Sequence, residues 1–395
     1  LIDLPPLFFS IPDKFIPERF VLMPFAFVLG LDGSELGEIM NVETKTKPKV
    51  VLVASHGLPK YAEELANDRC ELIDLKTALE SDQNTRNCIE GVLNFGHFHI
   101  DEKFCSDFPS LKVVSNIGAG VDHIDVQGLR EKGILVGHTP GVLSTTTAEL
   151  AFGLMMASAR YLIPADAFCR SDKDSSGQRS THAFMGTDLW GKTVGIVGMG
   201  AIGSEIATRC RAFQMKIQYH NRREIKSNDK SEKSIATYCP LLMDLLKTSD
   251  FVFLVVPLTT STNGMISTKQ LQAMKPTAHL INIARGGVVD TEALTVALEN
   301  NQIKSAALDV TEPEPLPINH KLRTLPNAIL VPHIGSATVE CRLRMAWLAL
   351  DNLMNGIAGK YLVRTPGTTP PDIEVNEINR RYAVDVAKFL NKRSV

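Results

Sequence analysis

Three short motifs in the second half of the chain carry side chains that could work together. Asn282-Ile283-Ala284-Arg285-Gly286-Gly287 closes one apolar run, Ala307-Leu308-Asp309-Val310-Thr311-Glu312-Pro313-Glu314-Pro315-Leu316 closes another, and Pro332-His333-Ile334-Gly335-Ser336-Ala337-Thr338 follows a third. If those runs are strands, all three motifs fall just past carboxyl ends, where open α/β sheets bind ligands. Arginine offers a planar two-pronged fork to a carboxylate. Histidine titrates near neutrality and can give a proton to an oxygen that is becoming an alkoxide. A carboxylate beside that histidine would orient it and favour its charged form. Arg285, His333 and either Glu312 or Glu314 are the types that hydride reduction of a 2-oxo acid would need, and spacing does not choose between the two glutamates. The other histidines considered, His97, His99, His123 and His220, have no comparable setting and read as structural.

A hydride needs a carrier, and an earlier motif predicts one. Gly198-Met199-Gly200-Ala201-Ile202-Gly203 follows an apolar run at 193–197 and opens a helical stretch at 204–213. In such a turn the first glycine allows the tight bend, the second lets the backbone approach a pyrophosphate, and the third lets helix pack on strand. The helix start adds free N–H groups and a partial positive charge. The next predicted strand ends in Tyr219-His220-Asn221-Arg222-Arg223. An NAD site usually carries Asp or Glu near this point for the ribose 2′-hydroxyl. Here Asn221 and two arginines stand instead, and guanidinium groups pair with a 2′-phosphate. NADPH is therefore the expected cofactor, with NADH weaker.

The elements that must position these groups show a strand–helix rhythm. Short apolar runs at 50–54, 71–75, 91–95, 112–117 and 134–136 leave room for helices between them, and a second series follows at 193–197, 216–219, 251–256, 279–283, 305–310 and 329–331. Runs this continuous suit parallel strands buried on both faces. The expected fold class is α/β: two doubly wound parallel-sheet domains, a flavodoxin-like substrate domain and a Rossmann cofactor domain, with a cleft between them. Residues 147–162 are apolar nearly all round and predict a buried helical spine. Residues 171–188 are expected to be a long loop, 339–355 a closing helix, 364–372 a linker, and 373–393 a loose, charged helix. Domain bounds are expected at 48–145 with 336–363 for the substrate domain and 146–335 for the cofactor domain. Residues 1–47 are expected to form an N-terminal extension outside the fold, and 364–395 a C-terminal tail.

Bulk properties agree with a globular enzyme. The 395 residues are 44% hydrophobic and 22% charged, with a net charge of −2, which gives no reason to expect nucleic acid or an anionic membrane as partner. No apolar run is long enough to span a bilayer; the stretch at 20–31 is short and broken by Pro24. Seven scattered cysteines without a C-x-x-C pair predict reduced thiols, a cytoplasmic location and no metal site.

Together the motifs resemble the D-isomer-specific 2-hydroxyacid dehydrogenase family across about residues 48–362. Gly118-Ala119-Gly120-Val121-Asp122-His123 and Thr146-Thr147-Ala148-Glu149-Leu150 also match, and 309–320 with 332–338 is most similar to members that reduce glyoxylate and hydroxypyruvate. The resemblance implies a catalytic set of Arg285, Glu314 and His333. It also implies substrate contacts at Ala119, Gly120, Arg285, Asp309 and Ser336. Cofactor contacts are implied at Thr146, Gly198, Gly200, Ala201, Ile202, Gly203, Asn221, Arg222, Arg223, Pro257, Ile283, Ala284, Asp309 and Gly335. A homodimer formed through the cofactor domain is implied as well. Two alternatives stay open: another D-2-hydroxyacid dehydrogenase of the phosphoglycerate or hydroxyphenylpyruvate type, or a dinucleotide-sensing corepressor-like binding module. The chain departs from the family at 177–186, where tryptophans are usual and Arg179, His182 and Phe184 stand instead.

Overall fold

The computed structural model describes residues 46–54, 57–171, 184–225 and 236–366, with Tyr382 and Val386. Residues 1–45 of the expected N-terminal extension, most of the loop at 171–188 and most of the C-terminal tail lie outside the described residues.

The first series of apolar runs forms β1 (Lys49–Ala54), β2 (Glu71–Asp74), β3 (Ile89–Phe95), β4 (Val113–Asn116) and β5 (Leu135–Gly137). They make one sheet in the order β2-β1-β3-β4-β5, parallel throughout. The second series forms β6 (Thr193–Val197), β7 (Lys216–His220), β8 (Thr237–Tyr238), β9 (Phe251–Leu254), β10 (His279–Asn282), β11 (Ser305–Leu308) and β12 (Ala328–Leu330). Their order is β12-β11-β10-β9-β6-β7-β8, again parallel. The chain order reverses at β6, between β7 and β9. That reversal leaves a crevice at the carboxyl edge, where doubly wound sheets take a dinucleotide. Every residue of β4, β9, β10 and β11 is buried, which explains their unbroken runs.

The buried spine runs Ser144–Ala159, slightly earlier than expected. It ends because Tyr161 takes a left-handed conformation with φ 51°, redirecting the chain into a second helix, Leu162–Cys169. Ala148, Ala151, Leu154, Met155 and Ala159 share one core with Val194, Ile196, Phe251, Phe253 and Ile281 of the second sheet. His279 in this layer lies between Ser158 and Ser305, with Nδ1 at 2.8 and 2.7 Å from their hydroxyls. Burial pushes its pKa down to about 4, so the ring is neutral.

After the second sheet the chain returns to the first. Thr338 caps the helix Val339–Ile357 by accepting from the Cys341 N–H at 3.2 Å. Met345, Leu348, Ala349 and Leu353 pack with Val50, Leu93 and Val113. The few described residues of the expected tail make contacts with the first sheet and its covering helix. The Arg364 N–H donates to Asn352 Oδ1 at 3.0 Å, and its carbonyl accepts from the His138 N–H at 3.3 Å. Tyr382 is 1% exposed, and its hydroxyl donates to Asp351 Oδ2 at 2.6 Å. Among the described residues no helix is long and apolar enough to cross a membrane.

Candidate active site

The glycine turn leaves β6 and enters the helix Ala201–Ala212. Gly198 has φ 105°, which favours glycine, and a side chain there would meet the Val255 carbonyl. A side chain at Gly203 would collide with the Gly198 carbonyl, so the helix could not approach the turn. Gly200 faces open space and caps the helix with no side-chain acceptor. The helix start is thus bare backbone, apt for an anion. Pro257 is exposed after β9, Ile283 and Ala284 are buried past β10, and Thr146 is buried on the spine.

Asn221, immediately after β7, does more than vacate a carboxylate position. Its Oδ1 accepts from the Met199 N–H at 2.8 Å, tying strand end to glycine turn. Arg222 and Arg223 follow, both exposed and without a partner among the described residues.

Arg285 sits past β10, where Asn282 shapes the bend. Asn282 Nδ2 donates to the Arg285 carbonyl at 3.0 Å, and its Oδ1 accepts from the Ala284 N–H at 3.0 Å. The guanidinium crosses to the first sheet: Nε donates to Asp122 Oδ1 at 3.0 Å, and Nη1 to the Ala284 carbonyl at 2.9 Å. Nη2 lies over Gly120, where any side chain would displace it. Burial alone would raise the Asp122 pKa, but Arg285 and hydrogen bonds outweigh it and hold the group below its ordinary range. The loop bearing Ala119 and Gly120 is held from below: Asn116 Nδ2 donates to the Gly120 carbonyl at 2.8 Å, and His138 Nδ1 is 2.9 Å from the Ala119 carbonyl.

His333 faces Glu314, with Nδ1 to Oε1 at 2.8 Å. The structure therefore brings Glu314 to the histidine, while the Glu312 side chain makes no hydrogen bond to a described residue. His333 takes a left-handed conformation, φ 54°, unusual for a side-chain-bearing residue. Asp309 stabilises that turn. Its carbonyl accepts from the His333 N–H at 2.9 Å, and its carboxylate accepts from the N–H groups of Ile334 at 2.6 Å and Gly335 at 2.9 Å. At 2% exposure, both its oxygens are occupied by backbone, and burial raises its pKa. Ser336 follows, half-buried.

Two histidines read from the sequence as structural stand at this site. The His97 ring lies 5.2 Å from the His333 ring and 5.3 Å from that of His123. Burial, then the Arg285 charge, lowers the His97 pKa. His123 joins a buried amide pair, with Nε2 3.0 Å from Asn94 Nδ2, which in turn donates to Asn116 Oδ1 at 2.7 Å. Burial brings the His123 pKa to about 4. Asp122, His97, Asn94 and Asn116 carried no sequence signal of their own, because each acquires its role from a partner far along the chain. The one available hint was the placement of Asp122 and His123 within the Gly118–His123 motif.

Two parallel sheets whose facing edges carry a dinucleotide turn, an anchored arginine and a His–Glu pair define a two-domain α/β dehydrogenase. The model of the D-isomer specific 2-hydroxyacid dehydrogenase NAD-binding domain matches residues 152–335. The chain is 45% identical over 257 residues to the glyoxylate reductase of Pyrococcus furiosus, covering 65% of this chain and 75% of that one. It is 42% identical over 272 residues to glyoxylate/hydroxypyruvate reductase B of Pectobacterium carotovorum, covering 69% and 83%. A crystal structure of the NADPH-dependent glyoxylate/hydroxypyruvate reductase of Sinorhizobium meliloti, in complex with NADP and malonate, superposes with a TM-score of 0.73 at 31% identity, covering 83% of this chain and 99% of that one. This chain belongs to the D-isomer specific 2-hydroxyacid dehydrogenase family.

Proposed function

We propose that the protein is an NADPH-dependent reductase that converts glyoxylate and hydroxypyruvate to glycolate and D-glycerate. The observation that carries this is the His333–Glu314 bond of 2.8 Å on the same edge as a guanidinium laid over Gly120. Arg285 and the 119–120 backbone hold the substrate carboxylate. Ser336, three residues after His333, would serve as a further substrate contact. His333 Nε2, opposite the Glu314 bond, carries the proton for the carbonyl oxygen, and Glu314 stabilises the charged ring. Asp309 keeps the His333 turn in shape through its backbone bonds.

The residues at the crevice fit a dinucleotide: a bare helix start after Gly200, and two glycines where a side chain would close the turn. Gly198, Gly200, Ala201, Ile202 and Gly203 would hold the pyrophosphate, with Thr146, Pro257, Ile283, Ala284 and Gly335 around the remainder. A reduced nicotinamide bound there supplies the hydride. The preference for NADPH rests on Asn221 being engaged with Met199 while Arg222 and Arg223 remain free for a 2′-phosphate.

The domain assignment of 48–145 with 336–363 for substrate and 146–335 for cofactor is part of the same reading. So is a homodimer through the cofactor half, favoured by the exposed apolar residues Leu162, Ile163, Met185, Trp190 and Phe213. Seven free cysteines accord with a cytoplasmic location. Initial rates of NADPH and NADH oxidation with glyoxylate, hydroxypyruvate and pyruvate test the proposal.

A further inference from the structure

One polar side chain at the reacting edge has no task in the mechanism above. His97 lies past β3 on the first sheet, exposed, and no described residue hydrogen-bonds to its ring nitrogens. Its ring contacts the His333 ring at 5.2 Å with an interplanar angle of 31°. The other face of its surroundings is His123, edge-on at 5.3 Å.

The trigonal carbon of a 2-oxo acid has three substituents. The reading above directs the carboxylate to Arg285 and the carbonyl oxygen to His333, while the cofactor side of the cleft takes one face. The third substituent is then left to the first-sheet wall next to His333, where Asp122 is engaged by Arg285 and His123 by Asn94, and His97 is the polar group whose ring nitrogens no described residue hydrogen-bonds. We propose that His97 is a specificity-determining residue, one that hydrogen-bonds the 3-hydroxyl of a 3-hydroxy-2-oxo acid such as hydroxypyruvate. The inference rests on the proposed function.

The charge state suits this role. Desolvation of the ring at the site wall and the neighbouring Arg285 charge lower the His97 pKa, which favours the neutral ring. A neutral imidazole offers one donor and one acceptor, which matches a hydroxyl, and adds no second positive charge beside His333. A site built to pair with a hydroxyl disfavours an analogue that lacks it, because its own polar group loses a partner. Glyoxylate carries hydrogen in place of the CH2OH group, so it serves as the internal control.

The test compares kcat/KM for hydroxypyruvate and glyoxylate in wild type, His97→Ala and His97→Gln. Loss of one hydrogen bond lowers the hydroxypyruvate value about tenfold in His97→Ala and leaves glyoxylate within about twofold. His97→Gln, which keeps a donor and an acceptor, restores part of the ratio and serves if the alanine variant does not fold. An unchanged ratio, or an equal loss for both acids, overturns the inference while leaving the proposed function standing. A wild type that reduces neither acid overturns both.

Discussion

Replacing Glu314 by glutamine keeps shape and hydrogen-bonding reach but removes the charge that faces His333. The two groups meet at 2.8 Å, and their side chains are 33% and 30% exposed. A hydrogen bond to a charged group contributes about 1.5–3 kcal/mol, and partial exposure places this pair toward the lower end of that range. The term acts where the charged imidazole gives up its proton, so it appears in turnover. A loss of 1.4 kcal/mol is about a tenfold rate change, so kcat/KM for glyoxylate should fall by about one to two orders of magnitude. The assay is NADPH oxidation followed by absorbance, with cofactor affinity measured separately by fluorescence and expected to be unchanged. Glu312→Gln is the control: that side chain is exposed and touches neither partner, so its rate should stay within about twofold of wild type. If Glu314→Gln kept wild-type turnover, or if Glu312→Gln fell as far, the assignment of the carboxylate partner would be wrong.

Two other outcomes follow from the same structure. Replacing Arg222 and Arg223 together by alanine should lower kcat/KM with NADPH by about tenfold or more while NADH use changes little; equal losses with both cofactors would show that neither arginine reads the 2′-phosphate. His279 makes stability depend on pH. Its folded pKa is about 4 against an ordinary 6.5, so between these values the unfolded chain binds more protons and stability falls as pH falls. Its contribution is complete above pH 6.5 and amounts to about 3 kcal/mol at most, so the unfolding free-energy difference between wild type and His279→Asn should shrink on acidification. A difference independent of pH would contradict the neutral, buried state.

The legible parts of this chain were those in which local sequence and final environment coincide. Continuous runs such as 251–254 and 279–282 could be read as buried parallel strands because those strands are covered on both faces. The glycine turn was equally plain, since Gly198 and Gly203 are required by local backbone geometry. The pairing of Glu314 rather than Glu312 with His333 could not be derived from spacing, because it depends on how the 309–316 segment bends past β11. Asp122 and His97 were missed for a related reason. Their partners, Arg285 and His333, are distant in sequence and meet them only when the two sheets share an edge. Asn221 shows a subtler limit. Its identity suggested the absence of an acidic ribose contact, whereas its bond to the Met199 N–H reveals a structural duty. The contacts of Arg364 with Asn352 and of Tyr382 with Asp351 leave no periodic trace in the sequence, because each joins the chain's last residues to a helix face far from them in pattern.

The central claim is that the facing edges of the two sheets form a 2-oxo acid reductase that uses NADPH. Its most direct test is the steady-state rate of NADPH oxidation by the purified protein with glyoxylate, alongside the same measurement with NADH. The account predicts saturable turnover with a higher kcat/KM for NADPH. A protein that binds NADPH yet turns over neither glyoxylate nor hydroxypyruvate with either cofactor would contradict it.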